Sequence, residues 1–465
     1  MFISKVHIKN YKSINELELN FKKTESLGNL QTSVIIGENG TSKTTILEYI
    51  AKEIALLNLN NSLEIQSIDF EKNIKIIISS YSAIDKLSNL DLGNLVDNPN
   101  LQIIKTSRVL GNLSGLINRM IDLLYSKRDG ELDTLKFLLK YIGYSTENLF
   151  LIPHKSKLQS IPSLIRKHIV NLEKVNKNIL EFKELNSTTL AKADEMLNNY
   201  KKSLLINSNE EFNVVTEIRP YLKEVKKHKV IFFNYIYILM KYKIFLRYLE
   251  VNNHRFNLDS KDFDKYLGGQ ARFYLDNLIL NSMGTFFWKD LEFCINEDQY
   301  ISLSNLSSGQ LSIFIRLFDI AYYTTDNTIL LIDEPETHLH PKWIQNYLPL
   351  LNNIIGNKEC HAIIATHSPL IVSDAINESI IVLKKENGKI KAEEFHKPTL
   401  GNTYSWILKE VFELDFIQGN LVENYEKKIF KYIELGKIDE AINLYLMIAD
   451  EELKFKLYKY LREIM

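Results

Sequence analysis

Apolar residues recur along this chain at two spacings, and the switches between them mark its elements. At the start, "FISKVHI" and "INELELNF" alternate apolar with polar positions, which predicts two strands joined by the short turn "KNYKS". "TSVIIG" is a continuous apolar run ending on Gly37, the pattern of a strand buried on both faces. From Lys43 onward, Ile46, Leu47, Ile50, Ile54 and Ala55 fall at helical spacing. "IKIIISSY" (Ile74 to Tyr81) predicts another core strand, and strand character returns at "LEFCI" and "QYISL". A helix follows from about Leu311 to Tyr323, then the apolar run "TILLI", a helix from Pro341 and the buried strand "HAIIAT". "IIVLKKENGKIKAEEF" predicts a hairpin, with Asn387-Gly388 suited to a tight primed turn. After Gly401 the pattern is helical to the end, with Gly436 as a turn between two helices.

Residues 161–256 differ in character. They carry long helical patterns rich in Lys and Asn, with 17 Lys/Arg against 10 Asp/Glu. "KEVKKHK" (Lys223 to Lys229) is the most basic piece. Such a segment is either a solvated helical arm or a surface for nucleic-acid phosphates. "VIFFNYIYILM" (Val230 to Met240) is too short to cross a bilayer and runs into Lys241, Lys243 and Arg247, so it predicts a buried helix. The N-terminus lacks the apolar core of a signal peptide, which points to a cytoplasmic protein with no membrane association.

Composition narrows this only slightly. The chain has 465 residues, 45% hydrophobic and 25% charged, enough for two or three domains. A net charge of −1 means that any nucleic-acid binding must come from a local patch. Cys294 and Cys360 are too far apart for metal-ligand spacing, which fits a reducing compartment.

Chemistry concentrates in four short strings. "GENGTSKTT", comprising Gly37, Glu38, Asn39, Gly40, Thr41, Ser42, Lys43, Thr44 and Thr45, lies between a strand and a helix. Glycines there let successive backbone N–H groups converge, and the following helix adds its positive end, so the loop suits phosphate. Lys43 would reach the β- and γ-phosphates, and the Thr44 hydroxyl would hold Mg²⁺. Ser42 stands where a glycine is expected, placing a Cβ where backbone and phosphates crowd. "TILLIDEPETHLHP" delivers Asp333 and Glu334 at the end of a strand, the ligand-binding edge of α/β sheets. Asp333 would orient Mg²⁺ through water and Glu334 would polarise an attacking water. "LSSGQ", with Ser307, Ser308, Gly309 and Gln310, precedes a helix. Either serine can simply cap that helix, or the segment is a second anion site. "ATHSP" places His367 at the end of the next strand, within reach of a γ-phosphate.

Together these strings resemble the ABC-type ATPases, and more narrowly their RecF/SMC/OLD branch. The resemblance covers roughly the first 80 residues, including "FISKVHIKNYKSINELELNF", and residues 290–415. It implies an α/β fold: an ABC-type head, a mixed sheet with a phosphate-loop core, carrying a helical insertion and a helical C-terminal tail. On that pattern residues 1–160 and 286–415 form the two halves of the head, 161–285 the basic insertion and 416–465 the tail. The resemblance further implies a homo-oligomer built on head-to-tail dimers. In it ATP and Mg²⁺, held by Lys43, Thr44 and Asp333 of one copy, are capped by Ser307 and Gly309 of the other. Glu334 is then the general base and His367 the γ-phosphate sensor, while Thr337 to His340 cross the interface. The family's glutamine-bearing loop has no clear counterpart, since "SSYSAIDK" (Ser79 to Lys86) lacks the Gln.

The compact layout, with "ISSYSAIDKL", "LKYIGYSTENL" and "YSWILKEVFELDF", is similar to the ATPase subunits of Septu-type and retron-associated antiviral systems. That likeness implies a separate HNH-type nuclease partner, while Ser42 in the loop points to an ATPase that is slow or regulatory. The alternative is a DNA-repair or DNA-binding ATPase acting directly on DNA or RNA through its basic insertion. A third reading, a metal site at Glu336, His338 and His340, is weakened because the family pattern already accounts for that string.

Overall fold

A computed structural model describes residues 2–24, 29–56, 65–67, 74–81, 101–105, 113–125, 131–145, 148–154, 187–205, 213, 219, 222–251, 254–258, 263–285, 287–296, 299–355, 357–414 and 420–462. Its strands are β1 (Ile3–Tyr11), β2 (Ile14–Asn20), β3 (Leu30–Gly37), β4 (Ile65–Ser67), β5 (Ile74–Ser80), β6 (Leu101–Lys105) and β7 (Phe150–Pro153). They continue with β8 (Phe256–Asn257), β9 (Trp288–Asn296), β10 (Gln299–Ser302), β11 (Thr328–Asp333), β12 (Cys360–Ala365), β13 (Ile380–Glu386) and β14 (Lys389–Glu394).

The central sheet runs β14-β13-β3-β12-β11-β5-β6, parallel throughout except for the β13–β14 hairpin. Every residue of β11 and β12 is buried, as continuous apolar runs in a doubly covered parallel sheet require. On one face lies the helix Lys43–Leu56, with the three-stranded sheet β2-β1-β4 beyond it. Ile46, Leu47, Ile50 and Ile54 of that helix pack against Ile35, Leu331 and Ile363 of the sheet. The opposite face carries the helices Ser308–Tyr323 and Tyr347–Ile355, and the larger apolar core spreads from there into the helical region.

The buried imidazole of His361 fastens β1 to the sheet. Its Nδ1 accepts from the Ile3 amide at 3.2 Å, and its Nε2 lies 2.9 Å from the Ser33 hydroxyl. Burial pushes its pKa down to about 3, so it is neutral.

A second antiparallel sheet, β10-β9-β7-β8, leads into the "LSSGQ" helix. The run Val230 to Met240 lies inside one helix, Leu222–Val251, and Phe233 to Met240 are buried there. Among the described residues no helix is long and apolar enough to cross a membrane. The side chains of Lys223 to Lys229, and residues 155–186 altogether, lie outside the described residues, as do most of 206–221. The helices Asn420–Glu434, Ile438–Met447 and Glu451–Arg462 enclose an apolar cluster of their own, centred on Ile429, Ala441 and Leu457.

Candidate nucleotide-binding site

The loop from Gly37 to Lys43 turns the chain from β3 into its helix, and two positions in it need unusual backbone. Gly40 has φ of 86° and Ser42 φ of 65°, both left-handed. Gly37 is required for a different reason. A Cβ there would stand 2.6 Å from the Leu383 carbonyl oxygen and 2.7 Å from Thr41 Oγ1. Ser42 therefore does more than add a Cβ near the phosphates. It occupies a conformation that costs an L-residue roughly 1–2 kcal/mol, so the expected glycine is missed for its backbone freedom. Its hydroxyl lies 2.7 Å from that of Ser13, in the β1–β2 turn.

The turn of the loop is closed by Thr41, whose amide and hydroxyl both donate to the Glu38 carbonyl, at 3.3 and 2.8 Å. Lys43 is buried and folds back, donating to the carbonyls of Gly37 at 2.8 Å and Glu38 at 3.2 Å. Burial pulls its pKa down to about 8, against the pull of Asp333, Glu334 and Glu336. Glu38, Asn39 and Gly40 are exposed at the tip, while Thr44 and Thr45 are half-buried at the start of the helix.

Parallel pairing sets the carboxylates beside this loop, with Asp333 at the end of β11 opposite Ala365 and Ser80. Thr44 donates its hydroxyl proton to Asp333 Oδ2 at 3.0 Å. The other oxygen, Oδ1, is buried and has no hydrogen-bond partner among the described residues. Burial raises the Asp333 pKa to about 7, with Glu334 adding to the rise and Thr44 and Lys43 opposing it. A carboxylate oxygen without a partner next to a hydroxyl suits a hard divalent cation that keeps several waters, such as magnesium.

Glu334 follows with φ of 48°, another left-handed non-glycine, and its backbone N–H donates a hydrogen bond to the Ala365 carbonyl at 2.9 Å. Thr337 Oγ1 lies 3.4 Å from Glu334 Oε2. Glu336 is half-buried against the next strand end, where it accepts from the His367 amide at 2.6 Å and the Thr366 hydroxyl at 2.8 Å. It thus positions His367. Burial, with the Lys43 charge, lowers the His367 pKa to about 4, so that imidazole is neutral. His340 caps the short helix Pro341–Gln345, accepting from the Lys342 amide, and His338 adopts a left-handed φ of 63°. Glu336 and His340 are thus accounted for by local bonds rather than by a shared ion.

One neighbour of the site has no local signature in the sequence. Arg316, buried on the helix Ser308–Tyr323, donates to the carbonyls of Pro335 at 3.0 Å and Thr337 at 2.8 Å. Its guanidinium also stacks 3.7 Å from the Tyr81 ring centre. The Tyr81 amide in turn bonds the Asp333 carbonyl at 3.2 Å. Arg316 thus clamps the acidic loop from behind. Of "SSYSAIDK", Ser79 to Tyr81 are placed here, and residues 82–86 lie outside the described residues.

"LSSGQ" is organised as a helix start. Ser307 is the N-cap and forms a reciprocal capping box with Gln310. The Gln310 amide group also donates to the Tyr144 hydroxyl at 3.1 Å and the Ile142 carbonyl at 3.3 Å. Ser308 opens the helix. Gly309 faces the Trp343 ring so closely that a Cβ would lie 2.8 Å from Cζ3. Among the described residues no hydrogen bond joins these four to the phosphate loop. The structure brings together Lys43, Thr44, Asp333, Glu334 and His367, and leaves Ser307 to Gln310 apart.

Comparison with known proteins supports an ATPase domain. The family model described as an AAA ATPase domain matches residues 1–372. The retron Ec83 probable ATPase of Escherichia coli is 35% identical over 147 residues, 29% of this chain and 26% of that protein. The retron Vc95 probable ATPase of Vibrio cholerae serotype O1 biovar El Tor is 24% identical over 410 residues, 83% of this chain and 74% of that protein. The chain thus spans about a quarter of the length of the first of these relatives and about three quarters of the second. Among solved structures, the Smc head domain from Pyrococcus furiosus, bound to the C-terminal domain of ScpA, is similar at 14% identity. That likeness covers 84% of this chain and 96% of the other, with a TM-score of 0.30, too low to carry a functional argument. With a family model matched over most of its length, the chain belongs to the AAA ATPase domain family.

Proposed function

We propose that this chain is a nucleotide-gated ATPase subunit of an antiviral defence complex, in which the ATP state controls a separate HNH-type nuclease. The observation that carries the nucleotide part is the Lys43–Thr44–Asp333 grouping, with the second Asp333 oxygen free to take a cation. Lys43 gives up its two loop carbonyls to bind β- and γ-phosphate oxygens, and the loop amides hold the same phosphates. Magnesium, held by Thr44 and Asp333, would supply neutralising charge as phosphoryl transfer develops. Glu334 orients and polarises the attacking water, and the neutral His367 offers its imidazole to the γ-phosphate.

Ser307 and Gly309 complete the site from a second copy in a head-to-tail dimer. Among the described residues no hydrogen bond ties them to their own loop, and Ser307 opens its helix as an N-cap. The strained Ser42 favours binding over turnover, because phosphoryl transfer depends on positioning and a shift of about 1 Å can cost ~100-fold in rate. The defence setting rests on the two retron ATPases among the relatives, and the nuclease partner on the resemblance to Septu-type subunits.

The test pairs two assays on the full chain. Hydrolysis is measured for the native protein and for Glu334→Gln, and a tagged chain is purified with its neighbouring gene products, with and without ATP. Slow hydrolysis, lost in Glu334→Gln with ATP binding kept, together with ATP-dependent recovery of an HNH protein, is expected. Fast turnover by the isolated chain without a nuclease partner would favour a repair-type ATPase acting directly on nucleic acid.

A further inference from the structure

The β1–β2 turn is fastened to the phosphate loop and its helix at several points. Lys12 forms an ion pair with the buried Glu48. The Tyr11 ring meets Tyr49 edge-on at 5.2 Å, and the Lys52 ammonium lies 5.3 Å from the Tyr11 ring centre. The Tyr49 hydroxyl donates to the His7 carbonyl at 3.1 Å. Asn10 and Lys12 are themselves left-handed, with φ of 51° and 52°, so the turn has one tight shape. That shape presents the Ser13 hydroxyl to the Ser42 hydroxyl at 2.7 Å.

Ser42 is the one phosphate-loop residue that is both left-handed and not glycine. A glycine there would adopt φ of 65° at no steric cost and would need no support. A serine needs something outside itself to hold that conformation, and the Ser13 bond links its side chain to a rigid turn.

We infer that Ser13 is a positioning residue for the phosphate loop: its hydrogen bond to Ser42 substitutes for the conformational freedom of the missing glycine and keeps the loop amides aimed at phosphate. The inference deepens the nucleotide-binding reading and rests on it. The hairpin turn thereby becomes part of the nucleotide site's scaffold, although Ser13 acts through Ser42 and not on the phosphates. The two substitutions should therefore be strongly non-additive.

The experiment is a double-mutant cycle on the full chain with Ser13→Ala, Ser42→Gly and both together. Magnesium-ATP binding is followed by calorimetry, and thermal unfolding is followed without nucleotide. Ser13→Ala alone is expected to weaken ATP binding about fivefold, the equivalent of one ordinary hydrogen bond, and to lower the unfolding midpoint. In the Ser42→Gly background the same change is expected to move neither. Ser13→Thr, which keeps the hydroxyl, should restore binding. Equal losses in both backgrounds would overturn the inference and make Ser13 a direct ligand of the nucleotide. No loss in either background would overturn it as well. If the folded native protein binds no ATP, the nucleotide reading fails on its own, and the unfolding cycle still decides whether the two serines are coupled.

Discussion

Replacing Gly309 with alanine separates two explanations of the "LSSGQ" glycine. The first is that a partner's nucleotide needs bare backbone at that helix start. The second lies within this chain, because the new Cβ would sit 2.8 Å from Trp343 Cζ3 and 3.4 Å from Cη2. Carbon atoms pack best at about 3.5–4.0 Å, so the nearer contact is short by at least ~0.7 Å. Trp343 cannot step aside freely, because its side chain is partly buried against the main apolar core. Overpacking of this kind costs about 1–3 kcal/mol. Alanine recovers at most ~1 kcal/mol of helix propensity, and less in a first turn. A net loss of about 1–2 kcal/mol of stability is therefore expected for Gly309→Ala by urea or guanidinium unfolding. With Trp343→Leu in the same chain the ring is gone, and the alanine should be neutral or slightly stabilising. A Gly309→Ala protein as stable as the native one would refute the packing argument. So would equal destabilisation in the presence and absence of the Trp343 ring. Loss of ATPase activity in Gly309→Ala can be assigned to a lost phosphate contact only if it persists in the Trp343→Leu pair.

Three further outcomes follow from the charges and clamps around the site. Asp333 holds its proton up to about pH 7, and a cation requires the carboxylate. Magnesium-dependent nucleotide affinity should therefore rise about tenfold per pH unit up to pH 7, level off, and fall again above about pH 8 as Lys43 loses its charge, with proton release measurable by calorimetry in buffers of different ionisation heat. His361 is neutral when folded down to about pH 3 but titrates near 6.5 when unfolded, so the unfolded chain binds more protons in between. Its contribution to stability is present above pH 6.5 and is lost as pH falls, by about 1.4 kcal/mol per unit, and His361→Gln should flatten that acid limb in pH-dependent unfolding. Arg316→Lys keeps the charge but cannot span both carbonyls or stack on Tyr81. Unfolding should show a loss of about 2–3 kcal/mol, and a native-like midpoint would contradict the clamp.

The phosphate loop, the Asp333–Glu334 strand end and the Ser307 cap are legible in the sequence because each is local. A continuous apolar run, a glycine and a helical pattern lie side by side, and a capping box spans only Ser307 to Gln310. What stayed hidden depends on contacts between distant segments. Glu336 reads as part of an acidic string, and only the parallel pairing of β11 with β12 brings it to the His367 amide. Arg316 reads as a charge on a helix until the helix docks under the Pro335–Thr337 turn. The Ser42 departure is visible at once, but its φ and its link to Ser13 emerge only when the β1–β2 turn closes on the loop. His361 looks like an interruption of an apolar strand, and its bonds to Ile3 and Ser33 explain why it is tolerated there. The role of Trp343 carries no sequence signal, because no local pattern announces a ring laid over a glycine some thirty residues earlier.

The central claim is that the loop from Gly37 to Thr45 binds a nucleoside triphosphate through Lys43, Thr44 and Asp333. Calorimetric titration of ATP with magnesium into the folded full chain, and into Lys43→Ala, tests it most directly. Saturable heat with one nucleotide per chain, absent in Lys43→Ala, is the expected result. No saturable heat from the native chain, or equal heat from both proteins, would contradict it.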